Sequence, residues 1–222
     1  MMNLRFSGLG SWVGVWVVML SGAGVRGQTT RETSGATTRG SVVEGEIKLP
    51  KGALVSEIVV YLSPGEGQFV SPPAEVESIS QKGAKFRPAL LVVCVGQTVE
   101  FLNDEDRPIE HNVFSNSPAM QFDLGLFEPG QKRPVTFDKP GAVLLYCSVH
   151  RHMDGVIYVS PSPYFCVASG DEGNLKYEID GVPAGKWKVQ TWQRRRRYRE
   201  TEADVVAKDG QTIERDLELG EK

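Results

Sequence analysis

From Val42 onward the apolar residues fall into short runs, some alternating with polar residues and some unbroken, with Gly, Pro, Asn and Asp clusters between them. Gly45-Glu46-Ile47-Lys48-Leu49 and Glu57 to Leu62 read as two β-branched strands, bounded by Pro50-Lys51-Gly52 and Ser63-Pro64-Gly65. Strands follow over Val76 to Ile79, Ala89 to Val95 and Thr98 to Asn103, with Gly96-Gln97 as a turn, and a short edge strand over Arg133 to Phe137. Phe122-Asp123-Leu124-Gly125 and Pro129-Gly130-Gln131 read as loop. Between 42 and 160 no stretch of helical length carries a 3.6-residue apolar period, so the fold class is all-β, a sandwich or barrel.

After Pro161-Ser162-Pro163 the pattern changes. Lys176 and Glu178, then Lys186 and Lys188, alternate with apolar neighbours as half-exposed antiparallel strands do. Trp187 and Trp192 sit at strand spacing, as core and rim, and Val205-Val206, Asp209-Gly210 and Ile213 to Leu219 read as a closing hairpin. The run Arg194 to Arg197 with Arg199 is either a solvated loop or a surface for an acidic redox partner or anionic lipid headgroups.

The N-terminus has a different character. Met1 to Arg5 is a short basic start, Leu9 to Leu20 is apolar, and Ser21 to Gly27 is rich in small residues, the order of a secretory signal peptide cleaved near Gly27. The apolar stretch is short beside the roughly 20 residues of a membrane span, although a retained N-terminal anchor is the alternative. No later run is apolar enough to span a membrane, and 28–41 reads as a flexible spacer. The expected location is therefore periplasmic or otherwise secreted. Removing 1–27 takes away Arg5 and Arg26 and leaves 23 bases against 28 acids, a net of −5, which argues against nucleic acid as the main partner.

Three cysteines, at 94, 147 and 166, make an odd count for an oxidising compartment, so one thiol must be free, paired between chains or metal-bound. Cys147 is the metal candidate. Cys94 and Cys166 are then either a disulfide or two buried small hydrophobes.

The chemistry concentrates in one stretch. The apolar run Val143 to Tyr146 ends on Cys147, a tight loop supplies His150 and Met153, and a second run, Val156 to Val159, leads away. Thiolate, imidazole and thioether are a soft set that suits copper in a trigonal His2Cys site with a weak axial Met. His111 can supply the second imidazole, delivered by the acidic loop Asn103 to Glu110. The whole chain has only three His, at 111, 150 and 152, and after signal removal only two Met, 120 and 153. His152 is either an alternative ligand, a pH-sensitive electron port or a solvated loop residue. Met120 reads as a loop or core residue.

Asn103 followed by His111-Asn112-Val113, then Tyr146-Cys147-x-x-His150-x-x-Met153 closed by Gly155, resembles the cupredoxin family of plastocyanin, pseudoazurin and amicyanin, the last with the same short loop. The resemblance covers about 75–160. It implies a Greek-key β-sandwich holding one type 1 (blue) copper ion, with His111 and His150 as imidazole ligands, Cys147 as thiolate and Met153 as the long axial ligand. Asn112 is implied to tie the two ligand loops together. Ser148-Val149 depart from the pattern, standing where a Pro before the His is common. The implied function is one-electron carriage between redox partners such as a c-type cytochrome or a periplasmic oxidoreductase, not catalysis, since copper oxidases and nitrite reductases need further His. A copper-delivery protein and a metal-free binding module are the alternatives.

The flanks 42–70 and 164–220 resemble the two halves of a carboxypeptidase-regulatory-like (prealbumin-like) sandwich. The motifs are Gly45-x-Ile47 with Ile58 to Leu62, and Tyr177-x-Ile179-x-x-Val182-Pro183-x-Gly185-x-Trp187-x-Val189. The expected organisation is a second small sandwich split by the insertion of the first; the alternative is a separate C-terminal sandwich with extra N-terminal strands on the cupredoxin.

Overall fold

A computed structural model of the protein describes residues 40–222 apart from 56, 69, 169, 171, 172 and 196. The expected signal peptide, 1–27, and nearly all of the expected spacer, 28–41, lie outside the described residues. All regular structure among the described residues is strand. In chain order the strands are β1 (Ser41–Lys48), β2 (Ile58–Pro64), β3 (Glu77–Gln81), β4 (Phe86–Arg87), β5 (Leu90–Cys94) and β6 (Thr98–Asn103). Next come β7 (His111–Asn116), β8 (Gln121–Phe127), β9 (Lys132–Thr136), β10 (Gly141–Tyr146) and β11 (Asp154–Ser160). The chain closes with β12 (Phe165–Ala168), β13 (Asn174–Val182), β14 (Gly185–Trp192), β15 (Glu202–Ala207), β16 (Thr212–Glu214) and β17 (Leu217–Glu218).

The strands form four sheets. Two of them, β5-β11-β10-β7-β8 and β4-β3-β6-β9, enclose an inner core of Ile79, Phe101, Phe127, Phe137, Leu145 and Ile157. The other two, β13-β1-β16 and β12-β2-β14-β15, draw on strands from both sides of the inner segment. β1 pairs antiparallel with β13, and β2 lies between β12 and β14. Their shared core takes Val43, Ile47, Ile58 and Leu62 from before the inner segment and Tyr177, Trp187 and Val189 from after it.

The two unbroken apolar runs lie where the halves meet. Side chains alternate across a strand, so a run apolar at every position is buried on both faces. In β2, Ile58, Val60 and Leu62 enter the outer core, while Val59 and Tyr61 face a third cluster that also holds Tyr158 of β11. In β11, Ile157 and Val159 enter the inner core and Tyr158 turns outward to the same cluster. Tyr158 stacks on Trp192 at 4.7 Å and 25° and tilts against Tyr61 at 5.2 Å.

Two expectations need correction, and one left open is decided. Phe122 to Gly125 is not loop but part of β8, the edge strand beside β7. Half-buried Phe122 and Leu124 alternate with exposed neighbours, and Gly125, at φ 67°, disguises the pattern. The C-terminal segment is not a hairpin: β15 pairs with β14, whereas β16 and β17 cross to the other sheet and run parallel to β1. Cys94 and Cys166 are free thiols, one on β5 of the inner sandwich and the other on β12 of the outer.

Candidate metal centre

β10 and β11 pair antiparallel, and Tyr146↔Asp154 is their last pair, so Cys147–Met153 is the loop that joins them. The amide of Met153 donates to the carbonyl of His150 at 3.0 Å and closes the turn. β7 neighbours β10 through Phe114↔Tyr146, and the antiparallel register carries His111, at the head of β7, toward the loop. Two segments far apart in sequence thereby deliver their polar side chains to one end of a sheet.

Cys147 Sγ lies 3.9 Å from Nδ1 of His111 and 3.8 Å from Nδ1 of His150, and the three donor atoms all fall within 4.8 Å of one another. The imidazole rings are 4.9 Å apart. His111 is fully buried, Cys147 and Met153 nearly so, and His150 only half, so the centre reaches solvent at the His150 ring. His152 is exposed and takes no part in the cluster.

His111 and the ligand loop are held from behind. Asn112 accepts from the Ser148 amide at 3.0 Å through Oδ1 and donates to Asp123 at 2.6 Å through Nδ2, so one amide links β7, β8 and the ligand loop. His111 uses Nε2 to contact Glu105 Oε1 at 2.9 Å, which leaves Nδ1 and its lone pair facing Cys147. Glu105 in turn accepts from the Gly83 amide at 2.6 Å. The His111 hydrogen bond is the chief reason that the Glu105 carboxyl is held below its ordinary range, with the Gly83 and Ala84 amides adding to it against the opposing effect of burial. Asn103 fixes the loop that carries Glu105: its Nδ2 donates to the carbonyls of Ile109 and Phe127, and its Oδ1 accepts from the Glu105 amide. Glu105 and Asp123 were not singled out from the sequence, where the only signal is acidic residues near a His or Asn that requires a partner.

Residues 74–160 match the model of the copper binding proteins, plastocyanin/azurin family. The match covers less than half of the chain and lies on the segment that carries the His111, Cys147 and His150 cluster. Among solved structures, the chain is similar to a purple cupredoxin from Nitrosopumilus maritimus, with 25% identity over 38% of this chain and 99% of that one, at a TM-score of 0.35. It is similar to a reduced amicyanin variant, with 21% identity over 46% and 98% of the two chains, at a TM-score of 0.36. A copper-containing nitrite reductase from Thermus scotoductus SA-01 matches at 25% identity over 44% of this chain and 25% of its own, at a TM-score of 0.37.

The residues brought together here fit a type 1 copper ion. Metal–thiolate and metal–imidazole bonds of about 2.3 and 2.0 Å that diverge at a trigonal angle end about 3.7 Å apart. The sulfur–nitrogen separations here, 3.8 and 3.9 Å, are of that size. Two imidazole nitrogens and a sulfur, with a thioether from Met153 buried in the same cluster as Cys147, are the donor softness that copper favours.

Proposed function

We propose that the chain is an exported electron carrier. In this reading His111 and His150, through Nδ1, and Cys147, through Sγ, would hold one copper ion, with the Met153 thioether as a weak further donor. The convergence of two imidazoles on one thiol, at 3.8 and 3.9 Å, in a largely buried cluster carries the proposal. A copper ion held there would supply one-electron chemistry through its Cu(I) and Cu(II) states.

The rest of the site suits that task. Glu105 fixes His111 and Asn112 fixes the ligand loop at Ser148, so little needs to move there when the charge changes. Three tight donors and a buried thioether leave little room for a substrate, which favours carriage over catalysis. The half-buried His150 ring offers the route to a partner, for which a c-type cytochrome or a periplasmic oxidoreductase is suitable. The leader-like residues 1–27 support export, and no helix among the described residues is long and apolar enough to cross a membrane. The strands on either side of the inner sandwich, sharing one core, support a split carboxypeptidase-regulatory-like domain that carries it.

Titration with Cu(II) tests the reading. The wild-type chain should develop the intense visible band of thiolate-to-copper charge transfer and lose it reversibly on reduction. Cys147→Ser should abolish the band and leave the far-ultraviolet circular dichroism unchanged; a variant that kept the colour would remove Cys147 from the ligand set. Rapid surrender of copper to a mild chelator would favour delivery over carriage.

A further inference from the structure

The chain is acidic, with a net charge of −3, yet it carries Arg194 to Arg197 and Arg199 in one short segment. This segment belongs to the outer sandwich, between β14 and β15, and the fold brings it against the metal loop. Arg194 pairs with Asp154 at 2.5 Å, and Asp154 directly follows Met153. Arg151, within the ligand loop itself, is exposed, as are Arg194, Arg195, Arg197 and Arg199.

The arginine segment has a built backbone. Gln193 is buried, and its side-chain amide donates to the carbonyls of Arg195 and Tyr198 and accepts from the amide of Arg195. Tyr198 is buried and bridges to Glu221, while the Arg199 amide donates to Gly220 and the Lys222 amide to Arg197. The guanidinium groups therefore project from a fixed frame, which lowers the ordering cost of binding.

We propose that Arg194, Arg195, Arg197 and Arg199, together with Arg151, form a docking surface for an acidic redox protein that straddles both sandwiches. The proposal rests on the electron-carrier reading for what docking achieves. Planar guanidinium groups grip carboxylates in a bidentate manner, and clustered positive charge speeds the encounter with a negative partner. The existing pairs, Arg194 with Asp154 and Arg197 with Glu221, are solvent-exposed and hold weakly, so carboxylates of a partner exchange for them readily. A protein suits the surface better than a membrane. Tyr198 is buried and Trp192 stacks on Tyr158, so neither aromatic is free to enter a lipid interface, and exposed Glu200, Glu202 and Asp204 follow at once.

Two measurements decide it. On the metal-free chain, an oligoglutamate peptide should shift amide resonances at 194–199 and 151–155, and R194E/R195E/R197E should weaken its binding by roughly tenfold or more at low ionic strength. Arg195→Glu alone, at a side chain with no ion pair among the described residues, should weaken it in the same direction if the triple variant misfolds. In the copper-loaded protein, one electron passes from the Cu(I) form to hexacyanoferrate(III), leaving the Cu(II) form and hexacyanoferrate(II). That reaction should slow in the triple variant, the same reaction with the cationic tris(phenanthroline)cobalt(III) should quicken, and both differences should vanish in high salt. Unchanged rates with both reagents, or peptide shifts elsewhere on the surface, overturn the proposal. Stronger binding to phosphatidylglycerol vesicles than to the peptide overturns it in favour of a membrane. Failure to bind copper defeats the carrier reading alone, because the peptide titration needs no metal.

Discussion

At the scale of single residues, the hydrogen bond from His111 to Glu105 settles which imidazole nitrogen faces Cys147. Replacing Glu105 with Ala frees the His111 ring and should weaken copper binding by about 10–100-fold, measured by competition with a chelator of known affinity. The same contact has a pH signature in the metal-free chain. A carboxyl held below its ordinary value in the folded state stabilises fully above about 4.5, and that contribution drains away as pH falls through the lower folded value. Urea unfolding at pH 7 and pH 4 should show a shallower pH dependence for Glu105→Gln than for wild type. Cys166 makes a second case. Burial pushes its thiol up to about 11, so about one molecule in a thousand is thiolate at pH 8. Alkylation of Cys166 by iodoacetamide should be correspondingly slow and should accelerate about tenfold per pH unit up to that value, as read by mass spectrometry.

At the scale of strands, Gly45 shows how closely β1 and the segment joining β16 to β17 approach. A Cβ at 45 would lie 2.3 Å from the carbonyl oxygen of Arg215, a backbone atom that also accepts from Tyr177. Gly45→Ala should therefore destabilise the chain by about 1–3 kcal/mol in denaturant melts. Gly220→Ala, whose added methyl meets nothing, is the control and should be near neutral. This close crossing was not legible in the sequence, because Asp209-Gly210 looks like a hairpin turn and nothing local reveals which sheet the next strand joins. The metal loop was legible, since strand, loop and strand with Cys147, His150 and Met153 lie within one short stretch and their chemistry needs no long-range information. β8 was missed because an edge strand buries only one side, and Gly125 interrupts even that. The contact of Glu105 with His111 depends on Asn103 folding the intervening loop, which no pattern of apolar residues encodes.

For the molecule as a whole, the seam of Tyr61, Tyr158 and Trp192 joins two cores that otherwise have separate residues. Trp192→Ala removes a stacked pair and part of the buried area, about 1–3 kcal/mol. Tryptophan fluorescence and near-ultraviolet circular dichroism should then record two unfolding steps in the variant where wild type shows one. β2 and β12 are adjacent and antiparallel, so the whole inner sandwich enters and leaves through neighbouring positions of a single sheet. A ribosome reaches the end of β11 before it has made any of the later strands that β1 and β2 must meet. The ligand-bearing half is thus complete in sequence while its host is still missing its partners, and the host can close only around a guest that has already been synthesised.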